Sequence, residues 1–336
     1  MYFTSIVIPT YNRAHLIANS IPILMNLASS ENSGYEVIFV SNGSSDNTNE
    51  VLQGFANQFD NFSFYEIPPS GGPAAPRNKG IKEANGETII ILDDDVIPDS
   101  NMLLAYEAHH RRYPEQNEAV LGVAYVPEEV KSKPVSLFHE FDYSNLTADC
   151  PICYTYFWTC NISFKREFML KHGMFEELLL YNEDIHCGHQ LSKAGMTLRF
   201  EEKARGKHLH QLLLKDIQKK GWFVGLWIWA TSETLPTPEV LDRYGVLSVE
   251  IGVFAYAKRL IKRLGLRLLD NPITFLLLKW IGAESATRSK VTDFYYYLIY
   301  RRQILSGFRH AKKAFSREKK SGNNPDIIKF VRELGN

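Results

Sequence analysis

The sequence predicts an α/β fold: a mostly parallel sheet flanked by helices, with a helical extension at the carboxyl end. Short β-branched runs alternate with longer helical patterns over roughly the first 200 residues. From about residue 251 the pattern is helical, rich in Leu, Ile and Tyr, and contains no run typical of a strand. We therefore expect an α/β domain over residues 1–215 and a mainly helical, basic region over 216–336, with a soft boundary between 215 and 250.

Compact apolar or β-branched runs predict four strands. They are Ser5–Pro9, Glu36–Val40, Ser63–Ile67 and Thr88–Leu92. Helical spacing of apolar residues predicts helices between them, at Ala14–Ala28, Asn47–Phe59 and Pro76–Ala84. Polar loops follow the strands. Because ligands bind at the carboxyl ends of strands in open α/β sheets, we expect a binding site at this edge.

The composition excludes several protein classes. A chain of 336 residues that is 45% hydrophobic can bury a large core, which excludes a disordered chain or a disulfide mini-protein. Its 38 basic and 38 acidic side chains give no net charge, and we find no nucleic-acid reading motif, so we expect no nucleic-acid partner. Four cysteines and the lack of a leader-like start predict a cytoplasmic protein.

The charges are unevenly distributed along the chain. Residues 1–257 carry 20 basic and 32 acidic side chains, whereas 258–320 carry 16 basic and 4 acidic ones. In the helix predicted over 250–269, apolar residues share one face and four basic residues lie opposite. This pattern suits peripheral contact with an anionic membrane. It equally suits docking on the acidic part of the chain or a contact in a homo-oligomer.

Three consecutive carboxylates are the most informative motif. The buried-type run Ile89–Leu92 leads directly into Asp93, Asp94 and Asp95. Adjacent acids repel one another, and a divalent cation such as Mg²⁺ or Mn²⁺ would offset that repulsion while bridging to substrate phosphates. Side chains alternate in an extended segment, so Asp93 and Asp95 are expected on the same side. An acidic helix cap or a solvated loop is the alternative interpretation.

Several motifs occur in an order that resembles the family-2 glycosyltransferases of GT-A fold. In the donor half, about 1–100, these are Pro9-Thr10-Tyr11-Asn12-Arg13, Val40-Ser41-Asn42-Gly43-Ser44-Ser45-Asp46, Gly72-Pro73-Ala74-Ala75-Pro76-Arg77-Asn78 and Leu92-Asp93-Asp94-Asp95. In the acceptor half, about 101–215, they are Asn161–Glu167, Gly173–Glu177, Asn182–Asp184 and Lys193–Gly195. The resemblance covers roughly residues 3–215 and leaves the basic region out.

The resemblance implies a hexosyltransferase that moves a sugar from a nucleotide-diphosphate donor to an acceptor hydroxyl with inversion. It implies that Asp93 and Asp95 touch the ribose and sugar of the donor and hold the metal on the diphosphate, and that Asp94 has a structural or sugar-facing role. A divalent metal would stabilise the charge that develops on the leaving group. Further donor-binding residues implied are Pro9, Thr10, Tyr11, Arg13, Asn42, Ser44 and Arg77.

The resemblance also implies the acid–base chemistry. Asp184 is expected to be the general base and Glu183 to position the acceptor or the base, although their roles could be exchanged. An acidic pair at a helix start is also favourable from the helix dipole alone. His208 is expected to complete the metal site or to contact the diphosphate, with His210 as the second choice.

Other positions leave the substrates open. Where the family commonly has Asp-Asp-Gly-Ser, this chain has Ser41-Asn42-Gly43-Ser44, so the donor base stays undecided among uracil, guanine, thymine and cytosine. The acceptor is expected to be a glycan or a lipid-linked sugar. Trp158, which could stack on a sugar ring, and Asn161 are its candidate contacts.

Three alternatives stand beside this interpretation. The chain could be an inactive sugar- or nucleotide-binding protein of the same fold. It could be a sugar-phosphate nucleotidyltransferase, although the Gly-rich, basic first loop expected of one is absent after Pro9. Cys150 and Cys153, with Cys160 and the run Cys187-Gly188-His189, could hold zinc, but a reduced cysteine cluster is the commoner case.

Overall fold

The computed structural model describes residues 3–30, 34–131, 141–209, 214–244, 264–281 and 288–335. Its contacts divide the chain into two compact units. The first comprises Met1–Pro127 and Phe141–His210, and the second comprises Glu128–Glu140 and Gln211–Asn336. The predicted division at 215 differs from these units in leaving the segment 128–140 in the α/β domain, and it stays a prediction.

An eight-stranded mixed sheet forms the centre of the first unit in the described part of the chain. The strands are β1 (Thr4–Thr10), β2 (Tyr35–Asn42), β3 (Phe62–Ile67), β4 (Thr88–Leu92), β5 (Val96–Pro98), β6 (Glu118–Tyr125), β7 (Asn161–Lys165) and β8 (Thr197–His208). Their order is β3-β2-β1-β4-β7-β6-β8-β5. Strands β3, β2, β1 and β4 are mutually parallel, as are β6 and β8, whereas β7 and β5 pair antiparallel with their neighbours. This confirms the predicted fold class.

Helices flank the sheet. They are α1 (Ala14–Leu24), α2 (Thr48–Ala56), α3 (Ala74–Glu83), α4 (Met102–Arg112), α6 (Arg166–His172) and α7 (Glu183–Lys193). The short helix α5 (Glu128–Lys131) belongs to the second unit. The predicted helix 14–28 is too long, because α1 ends at Leu24. Helix α3 begins at Ala74, two residues before the predicted start at Pro76. A proline is tolerated in the first turn of a helix because the backbone N–H groups there have no helical partner.

The central strands are buried on both faces. Every residue of β4 is buried, and Ile89 to Leu92 have no exposed surface. Near-continuous apolar strands of this kind are typical of a parallel sheet covered by helices on both sides. Helix α3 packs on β1 at Gly80, where an added Cβ would lie 2.3 Å from a methyl group of Val7. This close packing fixes the start of α3 relative to the ends of the strands.

Helices dominate the described part of the second unit. They are α8 (Leu214–Thr234), α9 (Pro238–Arg243), α10 (Pro272–Trp280), α11 (Lys290–Lys320) and α12 (Ile327–Gly335). Helix α8 packs on α11 through Trp229 and Phe315, whose ring centroids are 5.2 Å apart. Trp227 and Trp229 are buried, so they pack against helices. The amphipathic helix predicted over 250–269 lies largely outside the described residues, which are helical over 264–269. In the described residues we find no helix with the length and hydropathy of a membrane-spanning segment.

Candidate active site

The loops at the carboxyl ends of β1, β2, β3 and β4 surround a cavity of about 500 Å³ in the first unit. Eight residues predicted for the donor or the metal line it, namely Pro9, Thr10, Tyr11, Arg13, Asn42, Asp93, Asp94 and Asp95. Because these residues offer a cation, an amide and three carboxylates, the cavity suits a polar, charged ligand. The shared edge of the sheet thus brings together loops that are far apart in sequence.

The loop after β3 also lines the cavity; Gly72 and Pro73 belong to a donor-half motif of the sequence, whereas Pro69 and Gly71 were not among the predicted site residues. Pro69, Gly71, Gly72 and Pro73 form this part of the wall. The signal that could have identified them is the Pro- and Gly-rich run after the third predicted strand, since every loop after a parallel strand opens on the same edge.

The three carboxylates after β4 contact different partners. Asp93 Oδ1 accepts a hydrogen bond from Arg77 Nη2 at 3.2 Å. Asp94 Oδ2 accepts one from the Thr10 hydroxyl at 2.7 Å, and its other oxygen lies 3.6 Å from Arg13 Nε. Asp95 Oδ1 lies 3.5 Å from Nε2 of His208. Asp94 therefore connects the segment Asp93–Asp95, the acidic loop, to the loop after β1.

Burial raises the proton affinity of this acidic loop. The pKa of Asp94 is raised to about 7, mainly by burial and secondly by the nearby charge of Asp95. The hydrogen bond from Thr10 acts in the opposite direction and lowers this pKa. The pKa of Asp93 is also raised, chiefly by burial and also by Asp95, while Arg77 and His208 oppose the shift. Both shifts reflect negative charge held away from water, which a cation bound here would offset.

Arg77 joins the acidic loop to the acidic pair at the start of α7. Its guanidinium is buried, and Nη1 donates to Glu183 Oε1 at 2.5 Å while Nη2 reaches Asp93. Burial alone would lower the pKa of Arg77, but the charges of Glu183, Asp93 and Asp184 outweigh it, and the net pKa is raised. In the structure this side chain forms ion pairs with two carboxylates beside the cavity. Its predicted contact with the donor stays a prediction.

Asp184 occupies the first turn of α7. Asn182, two residues before it, has a left-handed φ of 64°. Residues other than glycine rarely adopt this conformation, and here it turns the chain sharply into the helix. Asp184 Oδ1 accepts a hydrogen bond from the backbone N–H of Ile185 at 2.8 Å. A partly buried carboxylate is thus held beside the Arg77–Glu183 pair.

Asn42 organises the wall of the cavity. Its Oδ1 accepts hydrogen bonds from the backbone N–H and the hydroxyl of Ser70, and its Nδ2 donates to the carbonyl of Gly72 at 3.1 Å. The following Gly43 has a φ of 72°, and an added Cβ would collide with the ring of Pro69. Asn42, which the resemblance implies as a donor-binding residue, therefore fixes the loop after β3 through its side-chain amide.

Ser44 lies in the loop after β2 but is absent from the cavity lining. Its hydroxyl accepts hydrogen bonds from the backbone N–H of Asn12 and from Ser41. Asn12 has a φ of 53° and accepts hydrogen bonds from the backbone N–H groups of Ser45 and Asp46. These contacts fix the loop that carries Tyr11 and Arg13, so Ser44 stabilises the cavity wall without lining it.

Asp93, Asp95 and His208 offer the donor atoms that a divalent cation needs. Two carboxylates and an imidazole suit Mn²⁺ or Mg²⁺, and burial, with the charge of Asp95, raises the pKa of Asp93. The donor types therefore suit a metal, and Asp95 and His208 lie close together, but the ligand atoms of Asp93, Asp95 and His208 do not all lie within 4.8 Å of one another. The second-choice ligand, His210, lies outside the described residues.

The described residues hold one group of His, Asp or Glu side chains whose ligand atoms all lie within 4.8 Å of one another. It comprises His109, Asp149 and Glu201, and it includes no cysteine. Asp149 already accepts a hydrogen bond from Arg112 at 2.6 Å, so arginine supplies positive charge there. All four cysteines are free, and only Cys150 is exposed, which agrees with a reduced state.

Both candidate acceptor contacts, Trp158 and Asn161, are buried in the structure. Trp158 is 6% exposed and packs among the rings of Phe141, Tyr143 and Tyr156, so it offers no face for a sugar to stack on. Asn161 has no exposed surface. Its amide oxygen accepts from the Tyr106 hydroxyl, and its nitrogen donates to two backbone carbonyls. Asn161 therefore joins β6, β7 and β8 within the core.

Comparison with known proteins shows which family this chain resembles in sequence. Residues 5–173 match the glycosyl transferase family 2. AglE, a glycosyltransferase of Haloferax volcanii, is 26% identical over 226 residues, which cover 61% of this chain and 66% of that protein. A poly(ribitol-phosphate) beta-glucosyltransferase of Bacillus spizizenii is 38% identical over 119 residues, 35% of this chain and 18% of that protein. The matched part thus spans less than two thirds of either relative.

Solved structures share the fold. A mannosyltransferase of Pyrobaculum calidifontis, PcManGT, solved with GDP-Man and Mn²⁺, aligns with a TM-score of 0.58 at 14% identity, over 91% of this chain and 87% of that chain. TarS of S. aureus, residues 1–349 with UDP, aligns with a TM-score of 0.53 at 18% identity, over 95% and 92%. These likenesses confirm the GT-A fold. The family match covers half of the chain, and the chain belongs to glycosyl transferase family 2.

Proposed function

We propose that this chain transfers a sugar from a nucleotide-diphosphate donor to a hydroxyl of a glycan or lipid-linked acceptor, with inversion. The observation that carries the proposal is the arrangement around Arg77, which binds Asp93 of the acidic loop and Glu183 of the acidic pair at once. One buried cation thereby holds the carboxylates of the donor side next to those of the acceptor side. An enzyme that moves a group between two substrates needs this proximity.

The cavity is proposed to hold the donor. Arg13, Asn42 and the three carboxylates in its lining suit a nucleoside diphosphate bound together with a cation. Structural neighbours support this role, because they were solved with GDP-Man, UDP or UDP-GlcNAc. Those ligands include two bases, and Asn42 offers both a donor and an acceptor, so the base is left to experiment.

Asp184 is the proposed general base. Glu183 is neutralised by a direct contact with Arg77, whereas Asp184 sits one residue further along α7. Asp184 would remove the proton of the acceptor hydroxyl while the oxygen of that hydroxyl attacks the anomeric carbon of the donor sugar. The bond from that carbon to the diphosphate oxygen would break at the same time. Attack from the face opposite the leaving group inverts the anomeric centre.

Asp93, Asp95 and His208 are the proposed metal-binding residues. A divalent cation held there would supply electrostatic stabilisation of the diphosphate leaving group. Arg13, at the mouth of the loop after β1, contributes positive charge near Asp94. Mn²⁺ in one structural neighbour supports a divalent metal as the cofactor.

A carbohydrate polymer is a reasonable acceptor class. Relatives include the poly(ribitol-phosphate) beta-glucosyltransferase and a chondroitin synthase of Escherichia coli that is 26% identical over 239 residues. Their names support polysaccharide synthesis, in which the acceptor is a growing chain. A cytoplasmic location and a homo-oligomer stay predictions from the sequence.

Nucleotide diphosphate release tests the proposal. Wild-type protein is incubated with UDP-, GDP- and dTDP-sugars and with a CMP-sugar, for which CMP release is followed, each with Mn²⁺ or with EDTA and with mixed glycan acceptors. We expect release from one donor, dependent on Mn²⁺ and lost in Asp95→Ala and in Asp184→Asn. If no donor is turned over but one binds, the chain is a binding protein of this fold. Pyrophosphate formed from a nucleoside triphosphate and a sugar phosphate would identify a nucleotidyltransferase instead.

A further inference from the structure

Helix α10 of the second unit is apolar on two faces, and one of them is packed. Phe275 lies 5.8 Å from the ring of Tyr295 in an edge-to-face contact, and Leu278 packs against the same cluster on α11. Arg302 of α11 stacks on Phe275 and forms an ion pair with Asp270 just before the helix. These contacts fix α10 to α11 through its inner face.

The outer face of α10 is apolar and exposed. Ile273, Leu276, Leu277 and Trp280 are 69%, 67%, 56% and 83% exposed. Their spacing of three, four and seven residues places them in a single stripe along the helix. The helical segment over 264–269 adds three more exposed leucines before it.

This concentration of exposed apolar surface stands out within the described residues. Of the large hydrophobic side chains that are exposed there, eight lie between residues 264 and 281. Single exposed apolar residues are ordinary in folded proteins, but a contiguous patch marks a surface that binds something. The stripe on α10 is such a patch, because its four members are neighbours on one helix face.

The surrounding charge indicates what the patch binds. The ranges 264–281 and 288–302, which hold α10 and the part of α11 that packs on it, together carry 6 basic and 2 acidic side chains. Lys279 and Trp280 end the helix, a pairing of a cation and an amphipathic ring that suits the boundary between lipid headgroups and acyl chains. Positive charge around an apolar stripe matches an anionic lipid surface, in which both parts find a partner.

The length of α10 sets its orientation. Nine residues span about 14 Å, roughly half the thickness of a hydrocarbon core. The inner face is occupied by α11, so a single side is available. We propose that α10 lies in the plane of an anionic membrane, with Ile273, Leu276, Leu277 and Trp280 inserted among the lipids. The proposal goes beyond sugar transfer and does not depend on it.

Vesicle flotation of the full chain tests the proposal. We compare phosphatidylcholine vesicles with vesicles containing 30% phosphatidylglycerol. Wild-type protein is expected to float with the anionic vesicles, and less so at high salt because the cations contribute. The double variant Leu276→Ser/Trp280→Ser should partition at least tenfold more weakly. A matched control, Ile23→Ser/Leu170→Ser, removes two exposed apolar side chains from the first unit and should bind like wild type.

A second measurement reports insertion directly. Brominated lipids quench the fluorescence of tryptophans at acyl-chain depth, and Trp280 is the exposed tryptophan on the stripe. We expect quenching in wild type, and its loss in Trp280→Phe, which should still bind vesicles because phenylalanine is apolar. Circular dichroism and thermal unfolding should be unchanged in the serine variant, since neither side chain is packed.

Two outcomes overturn the proposal. One is a wild-type protein that does not float with anionic vesicles, or a serine variant that floats equally well. The other is a concentration-dependent dimer that dissociates in the serine variant while vesicles have no effect, which would assign the stripe to a second copy of the chain. Donor turnover with a soluble acceptor, measured on the same samples, shows separately whether the sugar-transfer proposal holds.

Discussion

Arg77 Nη1 donates to Glu183 Oε1 at 2.5 Å although the two residues are 106 positions apart. Both side chains are less than a tenth exposed. Such a pair is held by its geometry, since charges removed from water are stable only when they are well matched. The ion pair therefore fixes the start of α7, and with it Asp184, relative to α3 and the cavity.

Replacing Arg77 by methionine should destabilise the fold strongly. Methionine keeps most of the volume but leaves Glu183 buried without its cation, and removing one partner of a buried pair costs about 3–5 kcal/mol. The free energy of unfolding in urea measures the effect. Lys79→Met is the matched control on the same helix, because the Lys79–Glu83 pair is more than a third exposed and should contribute at most about 1 kcal/mol. Equal losses in both variants would contradict the structural role of Arg77.

Asp184 and Glu183 should respond differently to loss of charge. Asp184→Asn removes the proposed base, so kcat should fall by about 10² to 10⁴ while donor affinity by calorimetry stays near wild type. Glu183→Gln keeps a hydrogen-bond acceptor for Arg77, and its main effect should be on the free energy of unfolding. Steady-state kinetics of the two variants decide between them. A larger kcat loss in Glu183→Gln would exchange the two roles.

His208 should govern the metal requirement. His208→Gln replaces an imidazole ligand with a weaker amide beside Asp95, so the Mn²⁺ concentration for half-maximal rate should rise at least tenfold. A Mn²⁺ titration of donor turnover measures this. His172→Gln, at the end of α6, serves as a control for losing a histidine and should leave the titration unchanged. An unshifted curve for His208→Gln would remove this residue from the metal site.

Asn42→Asp installs the residue that the family commonly carries, and the structure predicts that it weakens donor binding. The Nδ2 group of Asn42 donates to the carbonyl of Gly72, and a carboxylate would place two acceptors against each other there. We expect a loss of about 1–3 kcal/mol in unfolding free energy and a several-fold higher KM for the donor, without a switch of base preference. Asn57→Asp, on an exposed helix end, is the control. Tighter binding of UDP-sugars by Asn42→Asp would show that this position reads the base.

The central strands and the acidic loop were predictable because their signals are local. The run Thr88–Leu92 forms β4 with the predicted bounds, since four apolar residues between turn residues leave little choice. The grouping of the loops at one sheet edge follows from parallel strands alone. Helix ends were less predictable, and α1 stops four residues before the predicted Ala28.

Side-chain partners across the fold could not be predicted. Nothing near Arg77 in the sequence shows that Glu183 neutralises it, because that contact depends on how α3 and α7 pack. Trp158 and Asn161 look available in a loop-and-strand pattern, yet Trp158 is covered by aromatic rings and Asn161 by three strands. Burial of a polar or aromatic residue depends on tertiary packing that a single sequence does not reveal.

His110 predicts how stability depends on pH. The Ser163 hydroxyl donates to the Ile89 carbonyl, so His110 Nε2 must carry the proton that it shares with Ser163 at 2.8 Å. The other ring nitrogen, Nδ1, is buried and has no hydrogen-bond partner among the described residues. Burial, with the nearby charge of Lys165, lowers the pKa of His110 well below its usual value.

Because its pKa is lowered in the folded state, His110 takes up a proton on unfolding at pH values below about 6.5. Stability is therefore retained above that pH and lost as the pH falls towards the folded pKa, by at most about 1.4 kcal/mol per pH unit from this group. Urea unfolding between pH 7.5 and 5 measures the slope. His110→Gln keeps a donor for Ser163 but cannot titrate, so it should flatten the slope while lowering stability at pH 7. His15→Gln, on the exposed start of α1, should leave the slope intact, and an unchanged slope in His110→Gln would assign the acid sensitivity to other groups.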